Sequence, residues 1–407
     1  MTTGVGVTGM GLVSPHGTEP LDVFDALVRG QSALRAVFPE LARPAVAATV
    51  DFDPSPWFNK LQLAGVDRVS QMAVAAATKA LEDGGSPLAD AGLARDRVGV
   101  YVGCGMGGAT ALETAYGMGA SSGRVPPLTI PAFMPNAPAA HIAMRHGITG
   151  PVLSYAVACA SSAVAIAEAA KAVACGDVDV AIAGGTEALI VPGVVQAWQA
   201  MQTLASAPPE EAAGAVRPFG AERSGFALGE GAAFLVLEAE HHAQARGARI
   251  HARLAGWGMS CDATHLTKPN AQGQARALNS ALRMADMSPR DVGYCNAHGT
   301  ATRVGDPVEC EALAAVWGDD LQDLKVSSTK ALHGHLLGAA GALEALISIM
   351  ALRERRLPPN FHGAAQDPAC AVALVTREQT EAANLQAAIS SSFAFGGTNA
   401  ALLFASI

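Results

Sequence analysis

The sequence has few charged and few aromatic residues, and it lacks long uninterrupted hydrophobic runs. Charged residues make up 15% and aromatic residues 5% of the 407 positions. The longest apolar stretch, residues 158–174, is interrupted by Glu168 and Lys171, so no run reaches the roughly 18 apolar residues that a membrane-spanning helix needs. The opening run MTTGVGVTGMGLVSP lacks the basic start and the cleavage site of an export signal. Because hydrophobic residues reach 50%, disorder is excluded, and we expect a soluble, cytoplasmic protein with a large core.

Paired cysteine motifs and basic runs are also missing. The seven cysteines are odd in number and contain no C-x-x-C pair, which argues against a disulfide framework and a structural zinc site. No H-E-x-x-H spacing occurs, and we expect no metal. The net charge is −9, and the 27 Lys and Arg residues form no basic run. Nucleic acid is therefore not an expected partner.

Short β-branched runs alternate with helical patterns along the whole chain, which is typical of an α/β fold. The predicted strands cover residues 5–8, 98–102, 152–157, 178–183, 250–255, 292–296, 325–328, 389–392 and 400–404. The same alternation restarts after a charged stretch near residue 245. We therefore predict two similar halves, 1–245 and 246–407, that share one continuous core.

A cysteine follows one of these strands at a predicted helix N-terminus. The strand at 152–157 leads through Cys159 into ASSAVAIAEAAKAVACG, whose apolar residues recur with the helical period up to Gly176. The N–H groups and the positive end of the helix dipole would lower the pKa of the Cys159 thiol and make it a nucleophile near neutral pH. The alternative is a small buried cysteine that packs against the sheet.

Two histidine segments favour the nucleophile. The run NAHGTAT places His298 just past a strand, where α/β proteins commonly carry their catalytic and ligand-binding residues. The run SSTKALHGHLLGAAG contains Lys330, His333 and His335 before a predicted helix. Each histidine alone could be structural, but together with Cys159 three strand-to-helix junctions each supply a group suited to acyl transfer.

Four motifs together resemble those of one enzyme family. The runs VACASS, NAHGTATRVGDPVE, SSTKALHGHLLGAAGALE and SSFAFGGTNA occur in this order and resemble the β-ketoacyl-acyl carrier protein synthases of the I/II (elongating) type, in the thiolase superfamily. The resemblance covers essentially the whole chain. It implies a thiolase-like duplicated fold, five-layered α-β-α-β-α with two mixed sheets. It also implies an acyltransferase that acts in fatty acid or polyketide chain elongation, polyene-type pathways included.

The resemblance implies roles for the residues in these motifs. Cys159 would accept the acyl group, while His298 and His335 would drive malonyl decarboxylation and stabilise the enolate with imidazole N–H donors. Lys330 and Glu344 match charged residues that support the histidines, and an ordinary structural ion pair is the alternative.

Further residues are implied at a gate and along the substrate channel. Phe395 matches a gating phenylalanine whose backbone N–H would form an oxyanion hole with that of Cys159. The residues implied in substrate contact are Met106, Thr300, Thr302, Phe393, Gly396 and Gly397. No cofactor of the protein's own is implied, because the phosphopantetheine arm belongs to the acyl carrier protein, which is the expected partner.

The expected docking surface for that acidic carrier departs from the family's pattern. Relatives carry a basic cluster before the helix that begins here near Asp67, but the segment NKLQLAGVDRVSQ has only Lys60 and Arg68. Arg124 and Lys268 are the other docking candidates. Three explanations stay open: a weaker carrier interface, a partner subunit that supplies basic surface, or scattered Lys and Arg that suffice. A homodimer and a heterodimer are both compatible with them.

Other functions fit the sequence less well. G-x-G-x-x-G occurs at residues 4–9 and 103–108, but the first match lies inside a strand and the second has no acidic residue about 20 positions on to bind a ribose. A non-catalytic chain-length-factor or scaffold subunit is the alternative from another class. Such proteins replace the cysteine, whereas Cys159, His298 and His335 are all present here. Acyl chain length and pathway stay open.

Overall fold

The N-terminal half alternates strands and helices as the sequence predicts. The structure, a computed structural model, describes residues 4–90, 92–360, 365–382 and 384–407, so residues 1–3 of the predicted start lie outside the described residues. The strands of this half are β1 (Val5–Val13), β2 (Arg35–Val37), β3 (Ala45–Ala48), β4 (Val98–Gly103), β5 (Val152–Tyr155), β6 (Val180–Glu187), β7 (Leu228–Gly229) and β8 (Gly231–Ala239). The helices are α1 (Pro20–Val28), α2 (Lys60–Leu63), α3 (Arg68–Asp83), α4 (Ala109–Ser122), α5 (Thr129–Phe133), α6 (Ala137–His146), α7 (Ser161–Ala174), α8 (Pro192–Ala200) and α9 (Glu240–Ala245).

The C-terminal half repeats the alternation. Its strands are β9 (Ala252–Cys261), β10 (Tyr294–Asn296), β11 (Lys325–Ser327), β12 (Ala373–Leu374), β13 (Ala387–Phe393) and β14 (Thr398–Ala405), and its helices are α10 (Ala271–Ala285), α11 (Gly305–Trp317), α12 (Lys330–His333) and α13 (Ala340–Glu354). Every predicted strand is present with shifted ends. The strand predicted at 152–157, for example, ends at residue 155, just before the turn that carries Cys159.

The two halves build the same sheet. The strand order is β5-β4-β6-β8-β1 in the first half and β11-β10-β13-β14-β9 in the second, with β12 added at the edge. In both halves the first three strands of this order are parallel to one another, and the last two pairings are antiparallel. This identity of order and direction supports an internal duplication, and the division at residue 245 stays a prediction.

The two mixed sheets meet edge to edge. Strand β1 pairs with β9 through Gly6 with Arg253 and Val7 with Ala252, so the two mixed sheets that the sequence led us to expect are the two parts of one eleven-stranded sheet. Strands β2, β3 and β7 form a separate three-stranded sheet.

Two helices form the middle layer between the parts of the sheet. Helix α7 packs on β4 and β6 and also contacts β14 and β9, while α13 packs on β13 and also contacts β8 and β6. Helices α3 and α6 pack against strands of the first half, and α10 against strands of the second, with α11 beside it. Every residue of α13 from Ala340 to Leu352 is buried, as expected of a helix that is enclosed on all sides. The predicted five-layered thiolase-like arrangement is confirmed.

Within the described ranges, none of the helices has the length and apolar character that crossing a membrane requires.

Candidate active site

Cys159 lies in a sharp turn between β5 and α7. A 3-10 turn (Ala158–Ala160) precedes the first residue of α7, Ser161. Ala158 has a φ of +46°, a left-handed conformation that costs free energy for a residue with a side chain. The Ser161 hydroxyl holds this turn, because it donates to the Ala158 carbonyl at 2.7 Å and accepts from the Val157 N–H at 2.9 Å. The cysteine therefore sits at the start of a helix, as the sequence predicts.

Burial rather than the helix dominates the ionisation of this thiol. Burial raises the pKa of Cys159 to about 12, although the charge of Lys330 and the backbone N–H groups of Phe395 and Cys159 counter the rise. The expectation of a lowered pKa is therefore wrong for the site without substrate. The thiol is protonated at neutral pH, so its proton has to leave during the reaction.

His335 lies directly beside the thiol. Its backbone is anchored to the segment before β8, because its N–H donates to the Ala227 carbonyl at 2.7 Å and its carbonyl accepts from the Gly229 N–H at 2.8 Å. The Leu337 N–H donates to Nδ1 of His335 at 3.3 Å, which places the ring proton on Nε2. That Nε2 lies 3.0 Å from Sγ of Cys159. Burial lowers the pKa of His335 well below its ordinary value, so the ring is neutral and points an N–H at the sulfur.

His298 follows β10 and faces the same space. Its backbone N–H donates to Oε1 of Glu309 at 2.8 Å, and the N–H of Gly299 donates to Oε2 at 2.7 Å. The ring centroids of His298 and His335 are 5.4 Å apart, in an edge-to-face arrangement. Burial lowers the pKa of His298 well below its ordinary value, and its Nδ1 has no hydrogen-bond partner among the described residues. A second neutral imidazole is therefore available to a substrate.

A buried ion pair lies behind the histidines. Lys330 and Glu344 are both fully buried, and the ammonium group contacts Oε1 of the carboxylate directly. Burial raises the pKa of Glu344 to about 7, although Lys330 works in the opposite direction. The charge of Lys330 also lowers the pKa of His298 and His335. Lys330 thus helps to keep both imidazoles neutral.

A cavity of about 600 Å³ opens onto the cysteine and the two histidines. Cys159, His298 and His335 all line it, and the Thr300 and Thr302 hydroxyls on its wall lie 3.1 Å apart. The other implied residues that line it are Phe393, Phe395, Gly397 and Lys268. The structure therefore brings together side chains from both halves of the chain, with room for an elongated substrate.

Two residues implied in substrate contact are not part of this cavity. Met106 is 47% exposed, and the N–H of Gly396 donates to the carbonyl of Leu266 at 2.7 Å. Their contact with substrate stays a prediction.

The docking candidates differ in what they contact. Lys268 lines the cavity, whereas Lys60 and Arg124 are exposed elsewhere on the surface. Arg68 is engaged within the chain. Its guanidinium donates to both carboxylate oxygens of Glu230, at 3.0 and 2.8 Å, so it links α3 to the segment between β7 and β8, and its contact with a carrier stays a prediction.

Sequence reasoning missed several residues of the site. Arg303 and Trp198 line the cavity. Arg223 is buried and donates to the Thr302 carbonyl at 2.9 Å and to the Arg303 carbonyl at 3.2 Å. Arg303 lies in the run NAHGTATRVGDPVE, next to Thr302, and could have been found there. Trp198 and Arg223 come from segments without such a motif, so only the fold places them here.

Glu187, at the end of β6, was missed as well. Its carboxylate accepts from the N–H groups of Gly105 at 2.8 Å, Gly338 at 3.0 Å and Met106 at 3.4 Å. It therefore links the loop after β4 to the turn that follows His335. Burial raises the pKa of Glu187 to about 7, against the lowering effect of these N–H groups.

The three central side chains could be considered as metal ligands. Sγ of Cys159 and the ring nitrogens of His298 and His335 lie within 4.8 Å of one another, and zinc accepts such donors. A ligand nitrogen must be unprotonated, however, and the N–H of Leu337 on Nδ1 of His335 leaves the proton on Nε2, which faces the sulfur. The site thus suits a hydrogen-bond donor, and the expectation of no metal stays a prediction.

Comparisons with known proteins agree with this geometry. Residues 2–243 match the family model of the beta-ketoacyl synthase N-terminal domain, and residues 251–364 match that of the C-terminal domain. The chain is 37% identical to "3-oxoacyl-[acyl-carrier-protein] synthase 2" of Coxiella burnetii, over 98% of both chains. It is 39% identical to "Nodulation protein E" of Rhizobium meliloti, again over 98% of both chains. Among solved structures, it is similar to the ishigamide ketosynthase/chain length factor, with a TM-score of 0.92, 29% identity and complete coverage of both chains.

Proposed function

This chain belongs to the β-ketoacyl synthase family, and we propose that it condenses an acyl group held on Cys159 with malonyl carrier protein. It is an acyltransferase of the 3-oxoacyl-[acyl-carrier-protein] synthase type. The observation that carries the assignment of residues is the 3.0 Å approach of Nε2 of His335 to Sγ of Cys159, in a cavity that His298 also lines.

The first step loads the acyl group. Sγ of Cys159 attacks the carbonyl carbon of an acyl thioester on the carrier, the bond from that carbon to the carrier sulfur breaks, and the thiol proton passes to the departing carrier thiolate. The developing oxyanion lies at the backbone N–H groups of Cys159 and Phe395. Both groups donate toward Sγ of Cys159 when no substrate is bound. Two such donors stabilise charge that appears only in the transition state.

The second step uses malonyl carrier protein. The bond between its terminal carboxylate and the methylene carbon breaks, CO₂ leaves, and the electron pair forms an enolate whose oxygen accepts hydrogen bonds from His298 and His335. The enolate carbon attacks the acyl carbonyl, the bond to Sγ of Cys159 breaks, and the sulfur takes up a proton from solvent. The product is a 3-oxoacyl group on the carrier. A neutral imidazole carries one N–H, so each ring can donate one hydrogen bond to the enolate oxygen.

An acyl carrier protein is the partner in this proposal. Its phosphopantetheine arm would enter along the Thr300 and Thr302 hydroxyls, which can hydrogen-bond its amides, and no cofactor is bound by the protein itself. Lys268 and Arg303 lie at this cavity, and their charges complement an acidic carrier. We place the protein in the cytoplasm with these substrates.

A second subunit of the same fold is part of the proposal. Among the described residues β5 pairs only with β4, and its Val152 and Leu153 are 38% and 45% exposed. An unpaired strand edge with apolar side chains is unfavourable in water, and a second subunit would cover it. That subunit is either another copy or a chain length factor like the one in the ishigamide assembly.

A chain-length-factor function is the second candidate. Its support is the likeness to the ishigamide ketosynthase/chain length factor. The approach of His335 to Cys159 favours a condensing subunit instead, because a scaffold has no need of a nucleophile with a donor beside it.

The test is mass analysis of the purified protein after incubation with acyl carrier protein, followed by malonyl carrier protein. We expect one acyl group on Cys159, then a 3-oxoacyl carrier, and neither with Cys159→Ala. A normal acyl adduct on the Cys159→Ala variant would show that another cysteine is the nucleophile. An unmodified wild-type chain would support the scaffold function.

A further inference from the structure

A row of aromatic rings connects the gate to the catalytic histidines. Trp198 of α8 stacks on Phe395, with ring centroids 6.2 Å apart and planes at 25°. Trp198 and Phe226 meet edge to face with ring centroids 5.5 Å apart, and Phe226 and His335 meet in the same way at 5.2 Å. Trp198, Phe226 and Phe395 all line the cavity. The position of Phe395 is therefore coupled to His335 through two intervening rings, Trp198 and Phe226.

The backbone after Phe395 forms a turn that requires glycine. Gly396 and Gly397 have φ values of +91° and +79°, a region that glycine occupies without the steric cost of a side chain. Bonds on either side fix the ends of this segment, since the Ala394 N–H donates to the Thr398 carbonyl at 2.8 Å and the Gly396 N–H to that of Leu266 at 2.7 Å. The Phe395 ring itself has no polar group with which to hold its place, so its position depends on packing.

We propose that Trp198 is a positioning residue that clamps the gate shut. The proposal rests on the proposed function, in which Phe395 supplies one N–H of the oxyanion hole. The stacked ring of Trp198 keeps Phe395 where its backbone N–H reaches the thiol of Cys159. The same contact must break when Phe395 swings aside to admit a chain too long for the space beside the cysteine. Trp198 thus favours rapid loading of short acyl groups and disfavours long ones.

The size of the effect follows from the strength of an aromatic contact. A stacked pair adds a free energy that corresponds to about a two- to tenfold change in the ratio of closed to open gate. Loss of the clamp should slow the acylation of Cys159 by a short acyl group by up to that factor. Long acyl groups enter through the open gate, so their rate should fall less or rise.

The experiment compares Trp198→Phe, which keeps an aromatic ring, with Trp198→Leu, which keeps an apolar side chain of moderate size. Single-turnover acylation of Cys159 is followed by intact mass with a short and a long acyl carrier. Trp257→Leu is the matched control, because Trp257 is half-buried on β9 and does not line the cavity. We expect Trp198→Leu to raise the long-to-short rate ratio about two- to tenfold, and Trp198→Phe and Trp257→Leu to leave it near the wild-type value.

A second measurement separates the clamp from a general loss of fold or a passive cavity wall. Melting temperatures show whether each variant is folded, and a folded Trp198→Leu protein with an unchanged ratio overturns the proposal. So does a ratio that shifts equally in Trp198→Phe, because the change would then follow side-chain volume and not stacking. Failure of the proposed function has a different signature, since wild-type Cys159 would then take up no acyl group of either length.

Discussion

At the scale of single residues, the ionisation of Cys159 sets how the nucleophile is activated. Because burial raises the pKa of Cys159 to about 12, the thiolate fraction should grow tenfold with each pH unit across the neutral range. We expect the rate of its alkylation by iodoacetamide to rise without a plateau from about pH 6 to about pH 9. Peptide mass analysis reports the rate for this cysteine alone. Exposed Cys175 and Cys261 provide a check on the reagent in the same digest, and a plateau near pH 7 would contradict the raised pKa.

The histidines provide a second test at this scale. Removing a donor to a developing oxyanion costs about 10²- to 10³-fold in rate, so His298→Ala and His335→Ala should each lose malonyl decarboxylation by that factor while Cys159 still accepts some acyl group. Release of CO₂ from malonyl carrier protein is the measurement.

The matched control for these variants is His333→Ala. His333 is fully buried and already satisfied on both ring nitrogens, by the Gly334 carbonyl at 2.7 Å and the Thr329 hydroxyl at 2.8 Å, so its loss should lower stability more than decarboxylation. An unimpaired decarboxylation rate in His298→Ala or His335→Ala would remove that residue from the chemistry.

Residues with a local sequence signal were predictable, and residues without one were not. Cys159 and His298 follow strand ends, and the resemblance supplied their roles. The pKa of Cys159 was predicted in the wrong direction, because the helix is visible in the sequence whereas the burial of the thiol depends on the packing of both halves. Trp198 was missed for the same reason, since the chain brings it to the cavity only through long-range folding, whereas Arg303 lies beside Thr302 in a motif that the sequence already showed.

At the scale of elements, Glu187 ties the end of β6 to two loops from different parts of the chain. Its pKa of about 7 is raised from 4.5 by burial, so the folded state favours the neutral carboxyl. Its contribution to stability is greatest below about pH 4.5 and is lost as pH rises through about 7. Glu187→Gln removes this titration. The stability of the variant relative to wild type should therefore increase by an amount on the order of 2 kcal/mol when the pH rises from about 5 to about 8.

Urea unfolding of the wild type and of Glu187→Gln, each at about pH 5 and at about pH 8, measures this difference. Other buried carboxyls with a raised pKa, such as Glu344 and Asp306, contribute equally to both proteins. Their contribution to the pH dependence of stability therefore cancels when the two proteins are compared. If the two proteins keep the same stability difference at both pH values, the carboxyl does not titrate in this range.

Element positions were largely predictable where the hydrophobic period is clear. The helical period after Cys159 gave α7, which ends at Ala174 before Gly176. Strand β8 (Gly231–Ala239) was not predicted, although all of it is buried, because a run rich in small and apolar residues fits a buried helix as well as a buried strand. Its pairing with β1 and β6 decides between the two.

At the scale of the whole molecule, the site exists only because two similar halves face each other. The first half supplies Cys159 and the second supplies His298 and His335, and the buried helices α7 and α13 lie against each other between them. The alternation of strands and helices predicts each half. The pairing of β1 with β9 and the meeting of the three side chains depend on contacts between distant segments, which the sequence indicated only through the family resemblance.

The surface around the cavity gives the last prediction, which concerns the carrier. Lys268 and Arg303 are exposed and line the cavity, so charge reversal in Lys268→Glu and Arg303→Glu should lower kcat/KM for an acidic carrier substrate about three- to tenfold. It should also weaken the dependence of that rate on salt, because fewer charges steer the encounter. The matched control is Lys60→Glu, an equal change of charge at an exposed site outside the cavity. A small acyl thioester without a carrier should react equally with all of these proteins, since it has no acidic surface to steer. Equal losses in Lys60→Glu and Lys268→Glu, or a wild-type rate insensitive to salt, would show that the carrier docks elsewhere.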